Sequence, residues 1–519
     1  MTTTKSSADW RTAETTLAIA WLALLGAALV WTRLVGLDQS LQHDEAFAVD
    51  QYIVPGPSGI LFGSYEPNDH VLFNLLTWAT TLGIGRSEAL YRLWAALPGL
   101  AAAGLLVWWS WRRLGLWTAV VVGFLVVTSP IQLELLKQAR GYGLTALAAV
   151  VMLVAGERFV EGRSTRSLVL WGVAAAAGTY THPAFALGVV AQAAVLGIAS
   201  ETRRRVVAVS AAVAVALVVA YAPLLDQMVG DFSKYYAARG GDRALQHALP
   251  PLAADDVRRP PVNWYAPVTG PGELVAPLTE LVATGDTRPS CELNCYIGKN
   301  FLLYSAIPLL LAAAGAALLW VRGRKRLMLL MAAPTLFPFV LAAIGRVDLQ
   351  NRFVSYLIPY LFVMMAVAIV AGVRAVAVSR TAAIVAVAAI SAFGLFALAR
   401  FIDLNSRWTA VPWEDAKQVG AIVNNAHVER VLTNSRRPTV LAHYVGEARL
   451  EDLTEPAVLN QELCAAPERL AYIQSSGYGA SPADIRCLRR RGVKTRVNQR
   501  GRGGGFDVWL LNSEGAQGR

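Results

Sequence analysis

Apolar residues in this chain gather into blocks of about 20, dense in Ala, Val and Leu, each long enough to be weighed as a membrane span. Twelve such blocks occur, at 17–35, 71–85, 89–111, 116–131, 141–157, 168–182, 184–199, 206–224, 301–321, 327–345, 353–373 and 381–400. The first follows a polar head containing Lys5 and Arg11. Its length, and the lack of a small-x-small site after it, favour a retained span over a cleaved signal peptide.

The polar gaps decide how many blocks cross. Basic residues cluster at Arg112 and Arg113; at Arg158, Arg163 and Arg166; at Arg203, Arg204 and Arg205; at Arg322, Arg324, Lys325 and Arg326; and at Arg374 and Arg380. Short loops rich in Lys and Arg stay on the cytoplasmic side. If every block crosses, all these gaps fall outside; if one block between residues 36 and 111 does not, all fall inside. Val71–Gly85 is the weakest candidate, short for a span at roughly 15 residues and ending in Gly83-Ile84-Gly85. It is read as an interfacial or re-entrant helix, leaving about eleven crossings, a cytoplasmic N-terminus (1–16) and an exoplasmic C-terminus. All four cysteines (Cys291, Cys295, Cys464, Cys487) then lie outside, where disulfides persist. Proximity suggests the pairings 291–295 and 464–487, among three possible connectivities. The six histidines also fall outside or at the outer face.

Three outer regions result: the loop Gly36–His70, the Pro- and Gly-rich segment Leu225–Asn300, and a tail after Arg400 with the composition of a water-soluble domain. Within the tail, Trp413–Asn425 and Pro482–Arg491 look helical. Arg430–Thr433, Leu470–Gln474, Val493–Val497 and Phe506–Leu511 look like strands, suggesting a small α/β domain. The expected fold class is therefore an α-helical polytopic membrane protein (17–400) with an exoplasmic α/β domain (401–519).

Composition agrees. Of 519 residues, 55% are hydrophobic and 16% charged, against about 45–50% and 25% in soluble domains. An ordinary soluble enzyme, disorder and a small disulfide scaffold are excluded. The net charge of +11 would suggest nucleic acid in a soluble chain. Here the five basic gaps hold 14 Lys and Arg against Glu157, Glu161 and Glu201, a balance equal to the whole excess. The charge is a topology signal, and no basic patch with interleaved aromatics marks a nucleic-acid surface.

The loop Gly36–His70 has no Lys or Arg and six acids: Asp38, Asp44, Glu45, Asp50, Glu66 and Asp69. At its heart His43-Asp44-Glu45 runs into apolar Ala46-Phe47-Ala48-Val49. Carboxylates beside an apolar segment at a membrane surface are partly desolvated, which raises the pKa and makes a better general base. The alternatives are a solvated acidic loop, or Asp44 as N-cap of a helix starting at Glu45. Lys137 and Arg140 sit at the outer face, where the positive-inside rule does not explain them. They admit two readings, a phosphate contact or snorkelling and pairing with Glu134. Arg352 admits the same two. His182-Pro183 is either a pocket group or a helix-ending turn. No metal-ligand spacing, P-loop, GxGxxG after a strand or GxSxG occurs.

Taken in order, Asp44-Glu45, Asn68-Asp69-His70, Ser87-Glu88-Ala89-Leu90-Tyr91-Arg92-Leu93, Gln138-Ala139-Arg140-Gly141-Tyr142 and Arg352-Phe353 resemble the motifs of a known family. They are those of GT-C membrane glycosyltransferases of the protein-mannosyltransferase/aminoarabinose-transferase type, which use polyprenyl-phosphate sugars. The resemblance covers about residues 17–400; each motif is short, and their order and shared placement carry it. One departure stands out: the family's usual His-Pro-Pro-Leu is here His70-Val71-Leu72-Phe73. The tail resembles exoplasmic α/β domains of several bacterial members.

The resemblance implies a polyprenyl-phosphate-linked sugar donor, a glycan, lipid or protein acceptor, and a site in the outer leaflet of a bacterial plasma membrane. It implies Asp44 as general base, with Glu45 orienting it or binding acceptor. Arg140, with Lys137 and Arg352, would meet the donor phosphate, and His43, Asp69, His70, Gln138, Tyr142 and His182 would contact substrate. No cofactor is required by this scheme, and a divalent cation near Asp44 stays open. The competing classes are a transporter or flippase of lipid-linked sugars, and a non-catalytic subunit of an envelope-assembly complex.

Overall fold

The computed structural model describes residues 3–63, 65, 69–228, 307–343, 351–377, 380–410, 415–433, 438–445, 449–452, 462–463, 469–475, 492–497 and 506–511. The four cysteines, the expected helix 482–491 and most of the segment 225–300 lie outside the described residues.

Each apolar block is helical over its described part. Before the long segment come α1 (Thr3–Leu34), α2 (His43–Ala48), α3 (Pro57–Phe62), α4 (Val71–Ile84), α5 (Glu88–Tyr91) and α6 (Leu93–Leu114). They continue as α7 (Leu116–Thr128), α8 (Pro130–Leu135), α9 (Tyr142–Gly162), α10 (Thr165–Thr181), α11 (Phe185–Leu196) and α12 (Ser200–Tyr221). After it come α13 (Ile307–Val321), α14 (Lys325–Ala343), α15 (Ile358–Val376) and α16 (Arg380–Ala410). By length and composition, Thr12–Leu34, Leu93–Leu114, Tyr142–Gly162, Glu201–Met228 and Val354–Val376 can cross a membrane, and five shorter apolar helices accompany them. The chain is a multi-pass membrane protein. With 14 residues, α4 extends about 21 Å, short of a hydrocarbon core of about 30 Å.

Among the helix boundaries that differ from the sequence reading, two have a plain local reason. The block 89–111 is broken at Arg92: Ser87 caps α5 by accepting the Leu90 N–H, and α6 begins only at Leu93. The block 116–131 ends at Thr128, because the Ser129 hydroxyl accepts from Gln132 N–H and Pro130 opens the separate helix α8.

The described residues form two compact units. The first comprises 1–34, 57–76 and 94–399. Its core centres on α9 and α15, where Ile358 to Ala368 are buried without a break. A small polar network threads this apolar interior. Gln192 accepts from Trp171 Nε1 (3.0 Å) and donates to Leu330 O (2.9 Å) and Tyr360 Oη (3.1 Å), and Tyr360 donates to Ala149 O (2.9 Å). Every member has a partner, as burial in a low-dielectric interior demands. Near the basic gaps, buried Glu157 accepts from Trp109 Nε1 (2.6 Å) and pairs with Arg113 Nε (3.0 Å).

The second unit comprises 35–56, 77–93 and 400–519. After α17 (Ala416–Asn425), capped by Asp415, the chain alternates through β1 (Arg430–Thr433), α18 (Pro438–Val445), β2 (Arg449–Asp452), β3 (Leu470–Ser475), β4 (Gly492–Val497) and β5 (Phe506–Leu511). The sheet order is β2-β1-β3-β5-β4, with β1 parallel to β2 and β3, and β5 antiparallel to β3 and β4. Leu432, Leu470, Tyr472, Trp509 and Leu511 form its core. The loop that bears Asp44 folds with this domain.

Candidate active site

Asp44 lies in the second unit, in the first turn of α2, and is half-buried. The helix starts one residue before Asp44, at His43, so Gln42 rather than Asp44 occupies the cap position. The reason is Glu45, whose carboxylate turns back to accept the Gln42 N–H at 2.8 Å, the reciprocal half of a capping box.

Glu45 is fixed a second time. Its two oxygens accept from Arg92 Nε (2.9 Å) and Nη2 (2.7 Å), a bidentate pair at 1% and 5% exposure. Arg92 spends its remaining donors on backbone carbonyls: Nη1 on Leu37 O (2.8 Å) and Gln39 O (2.7 Å), and Nη2 on Ser40 O (3.0 Å). All five N–H groups of one guanidinium thus hold the strand of chain entering α2 together with its third residue. In the sequence Arg92 stands within the motif Ser87–Leu93, a cation at the edge of an apolar block as Arg140 is.

A second group of expected residues converges in the first unit. Asp69 and His70 precede α4, and Asn74 Nδ2 donates to Asp69 Oδ1 at 2.6 Å. The His70 ring stands edge-on to Tyr142, 4.9 Å between centroids, and lies 5.1 Å from the His182 ring. Asp69, His70, Arg140, Tyr142 and His182 are all buried. His182 ends α10, and its ring packs in this cluster while Nδ1 accepts the Ala184 N–H at 3.2 Å. Two glycines allow the close packing. A Cβ on Gly141 would strike Thr181 and His70, and one on Gly143 would strike the Ala95 carbonyl.

Lys137 and Gln138 lie half-buried on the turn between α8 and α9, where Gln138 Nε2 donates to Glu134 Oε1 at 3.3 Å. His43 and Arg352 are described by their backbone, in α2 and in the 3-10 turn Asn351–Leu357. Among the described residues no cluster of three or more His, Cys, Asp or Glu side chains is placed to hold a metal ion. The structure therefore gathers Asp44, Glu45 and Arg92 in one unit, and Asp69, His70, Arg140, Tyr142 and His182 in the other.

No protein-family model and no curated protein sequence matches the chain. Solved structures do. ArnT from Cupriavidus metallidurans in the apo state has a TM-score of 0.56 at 15% identity, over 95% of this chain and 98% of that one. The chain shares its fold with that protein over nearly its whole length. The same ArnT bound to undecaprenyl phosphate gives 0.52 at 14% identity, over 96% of this chain and 98% of that one. An Archaeoglobus fulgidus oligosaccharyltransferase tethered with an acceptor peptide gives 0.51 at 12%, over 94% and 74%. The likeness is one of fold, extending through both the helical region and the C-terminal domain.

Proposed function

We propose that this protein is a membrane glycosyltransferase that moves a sugar from a polyprenyl-phosphate donor to an acceptor hydroxyl on the exoplasmic side of a bacterial plasma membrane. The observation that carries the reading is the fully engaged Arg92–Glu45 pair, which fixes the helical turn that bears the half-buried Asp44. An elaborate buried lock on one acidic turn is costly to assemble unless that turn must be held still.

In this scheme Asp44 takes the proton of the acceptor hydroxyl as its oxygen attacks the anomeric carbon. The bond from that carbon to the phosphate oxygen breaks on the opposite face, and polyprenyl phosphate leaves with the bonding electrons. One displacement inverts the anomeric centre. Phosphate is already a good leaving group, so no second carboxylic acid is needed, unlike glycoside hydrolysis with its pair. Arg140, with Lys137 and Arg352, stabilises the departing charge electrostatically. Glu45 orients the Asp44 turn and takes no part in proton transfer. Asp69, His70, Tyr142 and His182 bind substrate.

The test is donor turnover. Purified protein in vesicles is given polyprenyl-phosphate sugars and an acceptor extract, and released polyprenyl phosphate is measured. Release coupled to acceptor glycosylation supports the reading. Movement of intact donor across the bilayer without release indicates a flippase, and neither indicates a non-catalytic subunit.

A further inference from the structure

The soluble α/β domain contains no catalytic motif, yet it grips the Asp44 turn. The contacts come from two successive residues of α18. Tyr444 Oη accepts the Leu41 N–H at 2.7 Å and donates to Glu88 at 3.3 Å. His443 Nδ1 lies 2.7 Å from Asp50 Oδ1, on the π-helical segment Val49–Ile53 that continues α2. Tyr444 thus holds the entry to α2 and His443 its exit. From α17, Lys417 Nζ pairs with Glu88 at 3.0 Å and reaches Asp38 O at 3.3 Å.

These bonds interleave with those of Arg92. Along the chain, Ser40 O accepts from Arg92, Leu41 N–H donates to Tyr444, and Gln42 N–H donates to Glu45. Three consecutive backbone groups ahead of Asp44 are each held by a different buried or half-buried side chain. The C-terminal contribution is itself rigid, because Gly420 of α17 packs so tightly on the Tyr444 backbone that a Cβ there would collide with its carbonyl. Burial also holds the Tyr444 hydroxyl well above the usual phenol range, against the lowering effect of its Leu41 bond. It remains a neutral donor toward Glu88 at any physiological pH.

We propose that the C-terminal domain positions the Asp44-bearing turn for catalysis, and that Tyr444 is its principal positioning residue, with Lys417 and His443 supporting it. The inference rests on the glycosyltransferase reading for its catalytic consequence, but not for the grip itself. Tyr444 touches no reacting atom; it acts through the backbone of Leu41. Displacement of a catalytic group by about 1 Å is enough to cost up to ~100-fold in rate, so a small loosening of this turn is expected to register in kcat.

The test uses the full-length protein in vesicles. Tyr444→Phe keeps the ring and removes only the hydroxyl. Expected are a fall in kcat on the order of 10-fold, a donor KM within about twofold of the parent, and faster amide exchange over residues 41–48. Lys494→Gln, in the edge strand β4 of the same domain, removes the 2.6 Å pair with Asp507 of β5 and serves as the control for general loss of domain stability. It should leave kcat and exchange at 41–48 unchanged. An unaltered kcat for Tyr444→Phe overturns the positioning role, as does an equal fall for Lys494→Gln. Unaltered exchange at 41–48 overturns the grip itself. A parent protein that releases no polyprenyl phosphate overturns the glycosyltransferase reading instead, and the exchange comparison still decides whether Tyr444 holds the turn.

Discussion

Removing one partner of the Arg92–Glu45 pair strands the other in the protein interior, and the cost can be worked from the contacts. Both side chains are almost fully buried, so the screening that makes surface pairs worth little does not apply. Breaking such a pair from one side costs about 3–5 kcal/mol. Arg92→Gln also strips donors from the buried Ser40 carbonyl, adding about 1–3 kcal/mol, and from the part-buried carbonyls of Leu37 and Gln39. It should be the more damaging change, and Glu45→Gln the milder. The double variant carries no stranded charge, so its loss should fall short of the sum by about 2–3 kcal/mol, the upper range for coupled neighbours. Pulse proteolysis in urea, read at cleavage within residues 35–56, measures all four corners of the cycle. Losses that add to within about 0.5 kcal/mol would refute the idea that this pair acts as one lock.

Three further outcomes follow from the same geometry. Arg140→Gln should raise the donor KM and lower the rate by at least about 10-fold, since a phosphate loses a charge-assisted partner; steady-state kinetics in vesicles measure it, and unchanged constants would remove Arg140 from the donor site. Gly143→Ala should cost about 1–3 kcal/mol or more by overpacking against the Ala95 carbonyl, visible as lowered thermal stability in detergent. His70→Phe, which keeps an aromatic ring against Tyr142 and His182, should weaken substrate binding; parental KM values would show that the His70 nitrogens do not contact substrate.

Much of the fold is legible in the sequence because its signals are strong and local. Unbroken apolar blocks become helices whatever surrounds them, and the Val-, Leu- and Tyr-rich strands β1, β3, β4 and β5 carry the residues that favour a half-buried sheet. What escapes is what depends on distant partners. The strand Arg449–Asp452 is three-quarters charged and exists because β1 offers it a parallel edge. Pro438–Val445 is too short an apolar run for periodicity to separate helix from strand. The helix break at Arg92 becomes intelligible only when Glu45, 47 residues earlier, is seen to bind it. The acidic turn stands out in the sequence by its composition alone. Its fastening by Tyr444, some 400 residues further on, left no sequence signal at all.

The central claim is that Asp44 accepts the proton in a transfer from a lipid-phosphate sugar. It is tested most directly by comparing parent protein and Asp44→Asn for release of polyprenyl phosphate and for donor binding in the same vesicles. The account predicts that release falls by about 10²–10⁴, the contribution of a positioned general base, while donor affinity and folding are retained. Release at the parental rate by Asp44→Asn would contradict it.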